Sequence, residues 1–142
     1  YEKASQLNPF YREASFNRAL VAYTSSDVGR SKSILAQHLG KFPEDDEAYD
    51  LLGAIYESES NYKQAIDASQ AAIRISPKEW KYRYNLGEVF LKVRDYPNAI
   101  MELQTAYDLV QNRFEILKNS SHSYIHHEYL MIKCRMMRMD MI

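Results

Sequence analysis

The chain has 142 residues, 46% of them apolar and 26% charged, with a formal net charge of −1; one globular core can be built from that material. The charge balance excludes the basic footprint of a nucleic-acid binder and offers no attraction to an anionic membrane. Cys134 is the single cysteine, which excludes an intrachain disulfide and a thiolate zinc cage, and no apolar run approaches the ~20 residues of a bilayer span.

With four glycines and four prolines, the chain lacks the turn residues of a many-stranded fold, so helices joined by short loops are expected. A period of 34 organises them: Gly53 returns as Gly87, Tyr56 as Phe90, Tyr62 as Tyr96, Ala65 as Ala99 and Ala72 as Ala106. Pro77 has counterparts at Pro43 and Pro9, one and two periods upstream. A fixed period of this length marks stacked helical hairpins. Tyr1, Ala4 and Pro9 lie 34 before Leu35, His38 and Pro43. Segment 1–9 is therefore expected to be the remnant of a truncated upstream repeat, and the chain a piece of a longer protein.

Asn8 before Pro9 reads as an N-cap with proline at the first helical position, opening a helix over 10–24. Ser25-Ser26-Asp27 turns the chain, and Asp27 caps a second helix over 28–39. Gly40 is expected to close that helix in the left-handed conformation, with Pro43 just beyond. A helix over 46–59 carries Tyr49, Leu52, Gly53 and Tyr56 at helical spacing. Asn61 and Gln64 resemble a capping box for a helix over 62–75. Ser76-Pro77-Lys78-Glu79 combines a serine cap, a first-position proline and a third-position glutamate. It is expected to open the next helix, which passes through Leu86, Gly87 and Phe90 to Val93. Asp95-Tyr96-Pro97 starts a helix bearing Ala99, Leu103 and Ala106.

Gln111 stands where the closing proline would recur, so this helix is expected to run to about 118. Asn119-Ser120-Ser121 breaks it. A last helix over 124–139 places Ile125, Tyr129, Ile132, Met136 and Met139 on one face. The organisation is thus a remnant over 1–9, a degenerate repeat over 10–45, repeats over 46–79 and 80–113, and a capping or partner-binding helix within 120–142.

These residues resemble the tetratricopeptide repeat family, whose pattern sets an aromatic, Leu-Gly and Tyr in the first helix of each pair. Small, bulky and small residues and a closing proline follow around the second. The central repeat supplies Tyr49, Leu52-Gly53, Tyr56, Ala65, Ala72 and Pro77, departing at Ser69. The third supplies Leu86-Gly87, Phe90, Ala99, Leu103 and Ala106, departing at Arg83 and Gln111. In the first, Ala19, Ser31, Leu35 and Pro43 fit, whereas Ser15, Arg18, Ala22 and His38 do not. The resemblance covers 1–113 and implies an all-α, right-handed superhelical solenoid of antiparallel helix pairs, with about seven to eight helices.

It also implies a concave face, lined by the first helix of each pair, that holds an extended or helical peptide. Carried over by register, that face comprises Phe16, Asn17, Leu20 and Tyr23, then Asp50, Ala54 and Glu57, then Lys81, Tyr84, Asn85, Glu88 and Leu91. Its aromatic, aliphatic and acidic groups suit a protein segment with apolar anchors and some positive charge. Phe16 and Tyr84 have a plainer use, packing on neighbouring repeats. The carboxylate clamp of chaperone cofactors is not expected, because only Lys81 and Asn85 match it. Glu44, Asp45, Asp46, Glu47, Asp50, Glu57 and Glu59 form an acidic stretch without lysine or arginine, read either as solvated loop and helix surface or as a belt that steers a basic partner.

His122 and His126 are spaced to share a helix face and are the only candidate metal ligands. His127 and Cys134 point elsewhere, so no metal and no cofactor is expected. No phosphate loop, nucleophile elbow or metalloprotease motif occurs, and the paired carboxylates lie in the acidic stretch, where nothing is expected to desolvate them. The expectation is a non-enzymatic protein-interaction scaffold, without nucleic-acid or membrane-inserted partners. The alternative is a module that self-associates into a homo-oligomer through the Met-rich helix and the repeat ends. No targeting segment is visible, and a cytoplasmic location is expected.

Overall fold

The computed structural model describes residues 9–117 and 123–138, with backbone alone over 116–117 and 123–129. Seven helices and no strand occupy the described residues. The chain divides between Ile75 and Ser76 into two compact units. In the first, α1 (Pro9–Thr24) pairs with α2 (Val28–Lys41) and α3 (Asp46–Ser58) with α4 (Tyr62–Ile75). In the second, α5 (Trp80–Lys92) pairs with α6 (Tyr96–Leu117), and α7 (Ser123–Arg138) packs on α6.

Three-residue connections leave each pair no choice but to run antiparallel. They are built alike. Asp27, Asn61 and Asp95 donate their N–H to Ala22, Tyr56 and Phe90 carbonyls at 2.9, 2.8 and 2.9 Å, closing the preceding helix in a Schellman motif. Ser26, Ser60 and Arg94 take the left-handed position, with φ of 63°, 59° and 63°. These positions repeat the period of 34, yet none is glycine. Asp27 and Asp95 then cap the next helix, accepting from Arg30 N at 3.2 Å and Asn98 N at 3.4 Å.

The glycines at the crossings act by what they omit. A Cβ on Gly87 would lie 2.8 Å from Leu103 Cγ, and Leu103 is fully buried in α6. A Cβ on Gly53 would lie 3.2 Å from Ser69 Oγ, a looser fit because Ser69 replaces a bulkier residue there. The first unit's core joins Ala19, Leu35, Ala48, Leu51 and Ile55, with Phe16, Tyr23 and Leu39 packed against it. The second unit's core joins Trp80, Ala106, Val110, Ile132 and Met136.

Three expectations are corrected. Gly40 is helical, not left-handed; α2 runs on to Lys41 and ends where the buried Phe42 donates its N–H to His38 O at 2.8 Å. Ser76–Glu79 forms a turn, closed by Glu79 N–H on Ser76 O at 3.2 Å, and α5 starts only at Trp80. Phe42–Asp45 makes the same turn one period earlier, so Pro43 and Pro77 mark the turn between pairs instead of a helix start, whereas Pro9 is the first residue of α1. Third, Asp45 is not a solvated member of the acidic stretch. It is 3% exposed.

α6 continues unbroken to Leu117. On α7, Ile132 and Met136 are fully buried, whereas Leu130, Met131 and Met137 are 41%, 40% and 55% exposed. Asn8, the Asn119-Ser120-Ser121 break, Met139, and the side chains of Ile125 and Tyr129 lie outside the described residues.

Candidate partner-binding surface

The side chains assigned by register to a partner face divide into two groups. In the first unit, Phe16 and Tyr23 are half-buried against the core that α3 completes, and the Phe16 ring sits 6.3 Å from His38. Leu20 is 38% exposed, and Asp50, Ala54 and Glu57 are half-buried on α3. Asn17 is exposed and lines a groove between α1 and α2.

In the second unit, Lys81 is exposed and Asn85 and Leu91 are half-buried. Tyr84 and Glu88 are engaged by α7 instead. Tyr84 packs edge-on to Trp80 at 6.1 Å beside Ile132 and Met136, and burial pushes its phenol pKa up. Glu88 accepts from Arg135 Nε and Nη2 at 2.8 and 3.2 Å, a bidentate pair.

A polar cluster ties α1, α2 and α3 together, and sequence reasoning missed it. The buried His38 ring bonds Ser15 Oγ through Nδ1 at 2.5 Å and Asp45 Oδ2 through Nε2 at 2.6 Å. Arg12 Nη2 donates to Asp45 Oδ1 at 2.7 Å, and Ala48 N–H donates to the same oxygen at 3.4 Å, capping α3. The hydrogen bond to Asp45 holds the Arg12 guanidinium pKa above its ordinary value. The cause is a size exchange. The second repeat sets Tyr49 against Ala72 at these register positions; the first sets small Ser15 against large His38. Ser15 and His38 departed from the pattern together, and that pairing was the available signal.

Serine, histidine and aspartate in a chain invite a catalytic reading. Ser15, however, lies mid-helix, where neighbouring backbone N–H groups are committed within α1 and none faces the hydroxyl as an oxyanion donor. The arrangement is a clasp. The third repeat compensates its own departure similarly: Arg83, standing in for the aromatic, donates to the buried Glu102 of α6 at 3.0 Å.

The acidic stretch is thinner than its sequence. Asp45 is turned inward, and Glu59 pairs with Lys32 at 2.8 Å. His122 and the His126 side chain lie outside the described residues, and among those described no group of three or more His, Cys, Asp or Glu side chains is placed to hold a metal. No described helix is long and apolar enough to cross a membrane.

A tetratricopeptide repeat profile matches residues 16–79 and again 55–113. The chain belongs to the tetratricopeptide repeat family. Among its relatives, BBSome complex member BBS4 of Xenopus tropicalis is 31% identical over 83 residues, 58% of this chain and 16% of that protein. The match thus spans a small fraction of that relative's length. Two solved tetratricopeptide-like structures have the same fold. The Yersinia enterocolitica type III secretion chaperone SycD, in complex with a peptide of the translocator YopD, gives a TM-score of 0.67 at 19% identity over 87% of this chain and 92% of that one. The TPR2B domain of yeast Sti1, in its pHsp70 complex, gives 0.67 at 19% identity over 87% and 97%. At such identities the likeness is one of fold.

Proposed function

We propose that this tetratricopeptide chain is a non-enzymatic adaptor that binds a segment of another protein on the first-helix surfaces of its repeats. The observation that carries the reading is a repeat fold shared with proteins whose structures hold peptide segments, SycD with its YopD peptide and TPR2B with its pHsp70 ligand. The contact residues in this proposal are Leu20, Asp50, Ala54 and Glu57 on the first unit and Lys81, Asn85 and Leu91 on the second. Phe16, Tyr23, Tyr84 and Glu88 act behind them by fixing the helices. The carboxylates of Asp50 and Glu57, on the same helix as Ala54, favour a segment with apolar anchors and basic residues.

The test is affinity capture with the chain and with Ala54→Glu, which places a charge at the centre of the first unit's surface. A partner retained by the parent and lost by a variant of equal melting temperature supports the reading. Equal retention by both overturns it.

A second reading, self-association, is favoured by the exposed Leu130, Met131 and Met137 of α7. Native mass measured against concentration decides it: growth beyond 16.7 kDa supports a homo-oligomer, and a constant monomer removes it. A cytoplasmic location belongs to the adaptor reading and is checked by cell fractionation.

A further inference from the structure

The second unit buries polar groups that its own side chains do not saturate. Trp80 is 5% exposed, and its indole Nε1–H meets no acceptor among the described residues. The Nε–H of Arg83 is buried and equally without one. Arg83 Nη1 donates to Glu102 Oε2 at 3.0 Å, and Glu102 is 6% exposed. A carboxylate accepts on both oxygens, and this bond uses one.

These groups share one place in the fold. Trp80 and Arg83 stand one turn apart on α5 and both meet α6, Trp80 in a core with Ala106 and Arg83 through Glu102. Glu102 and Ala106 are in turn neighbours along one face of α6. Two facing turns of an antiparallel pair therefore carry all three groups. The register shows how the seam differs from its counterpart. One period upstream, Arg83 and Glu102 match Tyr49 and Ala68, an aromatic ring set against a small residue. In the third repeat a guanidinium and a carboxylate stand there, so ring volume gives way to groups with hydrogen-bonding directions to satisfy.

The donor set selects the ligand. Tryptophan and arginine only donate, so whatever sits at Nε1 and Nε must accept. A metal cation is excluded, because both N–H groups turn their positive ends toward it. An anion is excluded, because the Glu102 carboxylate stands beside it. Water both accepts and donates, and buried polar groups without a protein partner are matched by it.

We propose that the α5–α6 seam is a binding site for one internal water molecule, which accepts from Trp80 Nε1 and Arg83 Nε and donates to the Glu102 carboxylate. The water takes the place of the ring that the second repeat sets at this position.

The chain has a single tryptophan, so its indole gives one resonance in a nitrogen-edited NMR spectrum of the full chain. Water-selective NOE and ROE spectra are expected to show direct dipolar cross-peaks from the water line to both Trp80 Nε1–H and Arg83 Nε–H. The Tyr84 ring packs edge-on to Trp80 at 6.1 Å, and its exchanging hydroxyl is the group that would imitate water at the indole. Tyr84→Phe is expected to leave both cross-peaks in place. The paired variant Arg83→Tyr, Glu102→Ala rebuilds the seam of Tyr49 and Ala68. It is expected to lose the indole cross-peak and to melt above either single variant. No cross-peak at either donor, a cross-peak at one donor only, or loss of the signal in Tyr84→Phe overturns the proposal. So does an indole cross-peak that persists in the paired variant, or an Arg83 Nε–H that exchanges too fast to be observed, since the seam is then open to bulk solvent. If the paired variant does not fold, the spectra of the parent chain and of Tyr84→Phe decide alone.

Discussion

At the scale of single residues, the two crossing glycines make unequal demands. Gly87 faces the fully buried Leu103 at under 3 Å, so Gly87→Ala should destabilise by about 1–2 kcal/mol as overpacking. Gly53 faces a serine hydroxyl at 3.2 Å that can rotate, and the better helix propensity of alanine offsets the crowding, leaving Gly53→Ala within about 1 kcal/mol of the parent. Thermal melts of the two variants check the order. Asp45 offers a larger effect. Asp45→Ala strands the buried His38 and uncaps α3, and should cost about 3 kcal/mol, read as a shift in the denaturant midpoint. The glycines were legible because the family spacing singles them out. Asp45 was not: its neighbours Glu44, Asp46 and Glu47 disguise it as one more surface acid, and only the folded turn after Phe42 carries it under the His38 ring.

At the scale of elements, the period gave the pairings and nearly every helix boundary, since each helix repeats an amphipathic stripe and the loops between are too short for any other path. It hid the strain at the loops. Ser26, Ser60 and Arg94 hold the left-handed conformation that glycine adopts freely, and no residue type at those positions announces it. Arg94→Gly should therefore raise stability by about 1 kcal/mol, the relief of strain less the entropy of a freer unfolded chain, measurable by chemical denaturation. The clasp also belongs here. Ser15→Tyr alone overfills the α1–α2 contact and His38→Ala alone empties it, while the double variant recreates the size pattern of Tyr49 and Ala72. The double variant should melt above either single one; a melt at the sum of the two losses would show that Ser15 and His38 do not share one space. On α7 the rows separate: Met136→Ala should cost about 2–4 kcal/mol and Met137→Ala less than about 0.5, because only the first fills the core under Trp80.

At the scale of the whole molecule, repeat identity was within reach of the sequence, because it rests on a fixed period, and the adaptor reading proposed above followed from the family resemblance. The contact residues were less so. Register alone puts Phe16, Tyr23, Tyr84 and Glu88 on the partner face, yet packing on α3 and α7 claims them first, and a period cannot foresee that α7 would seat itself against α5. The surface proposed for a partner on the first unit includes Leu20 of α1, which is 38% exposed, and the half-buried Ala54 of α3. The measurement that bears most directly on this is calorimetric titration of the captured partner segment into the parent chain and into a Leu20→Glu, Ala54→Glu double variant. The account predicts a dissociation constant raised by more than about tenfold in the variant with an unchanged melting temperature. The same dissociation constant for both proteins would contradict it.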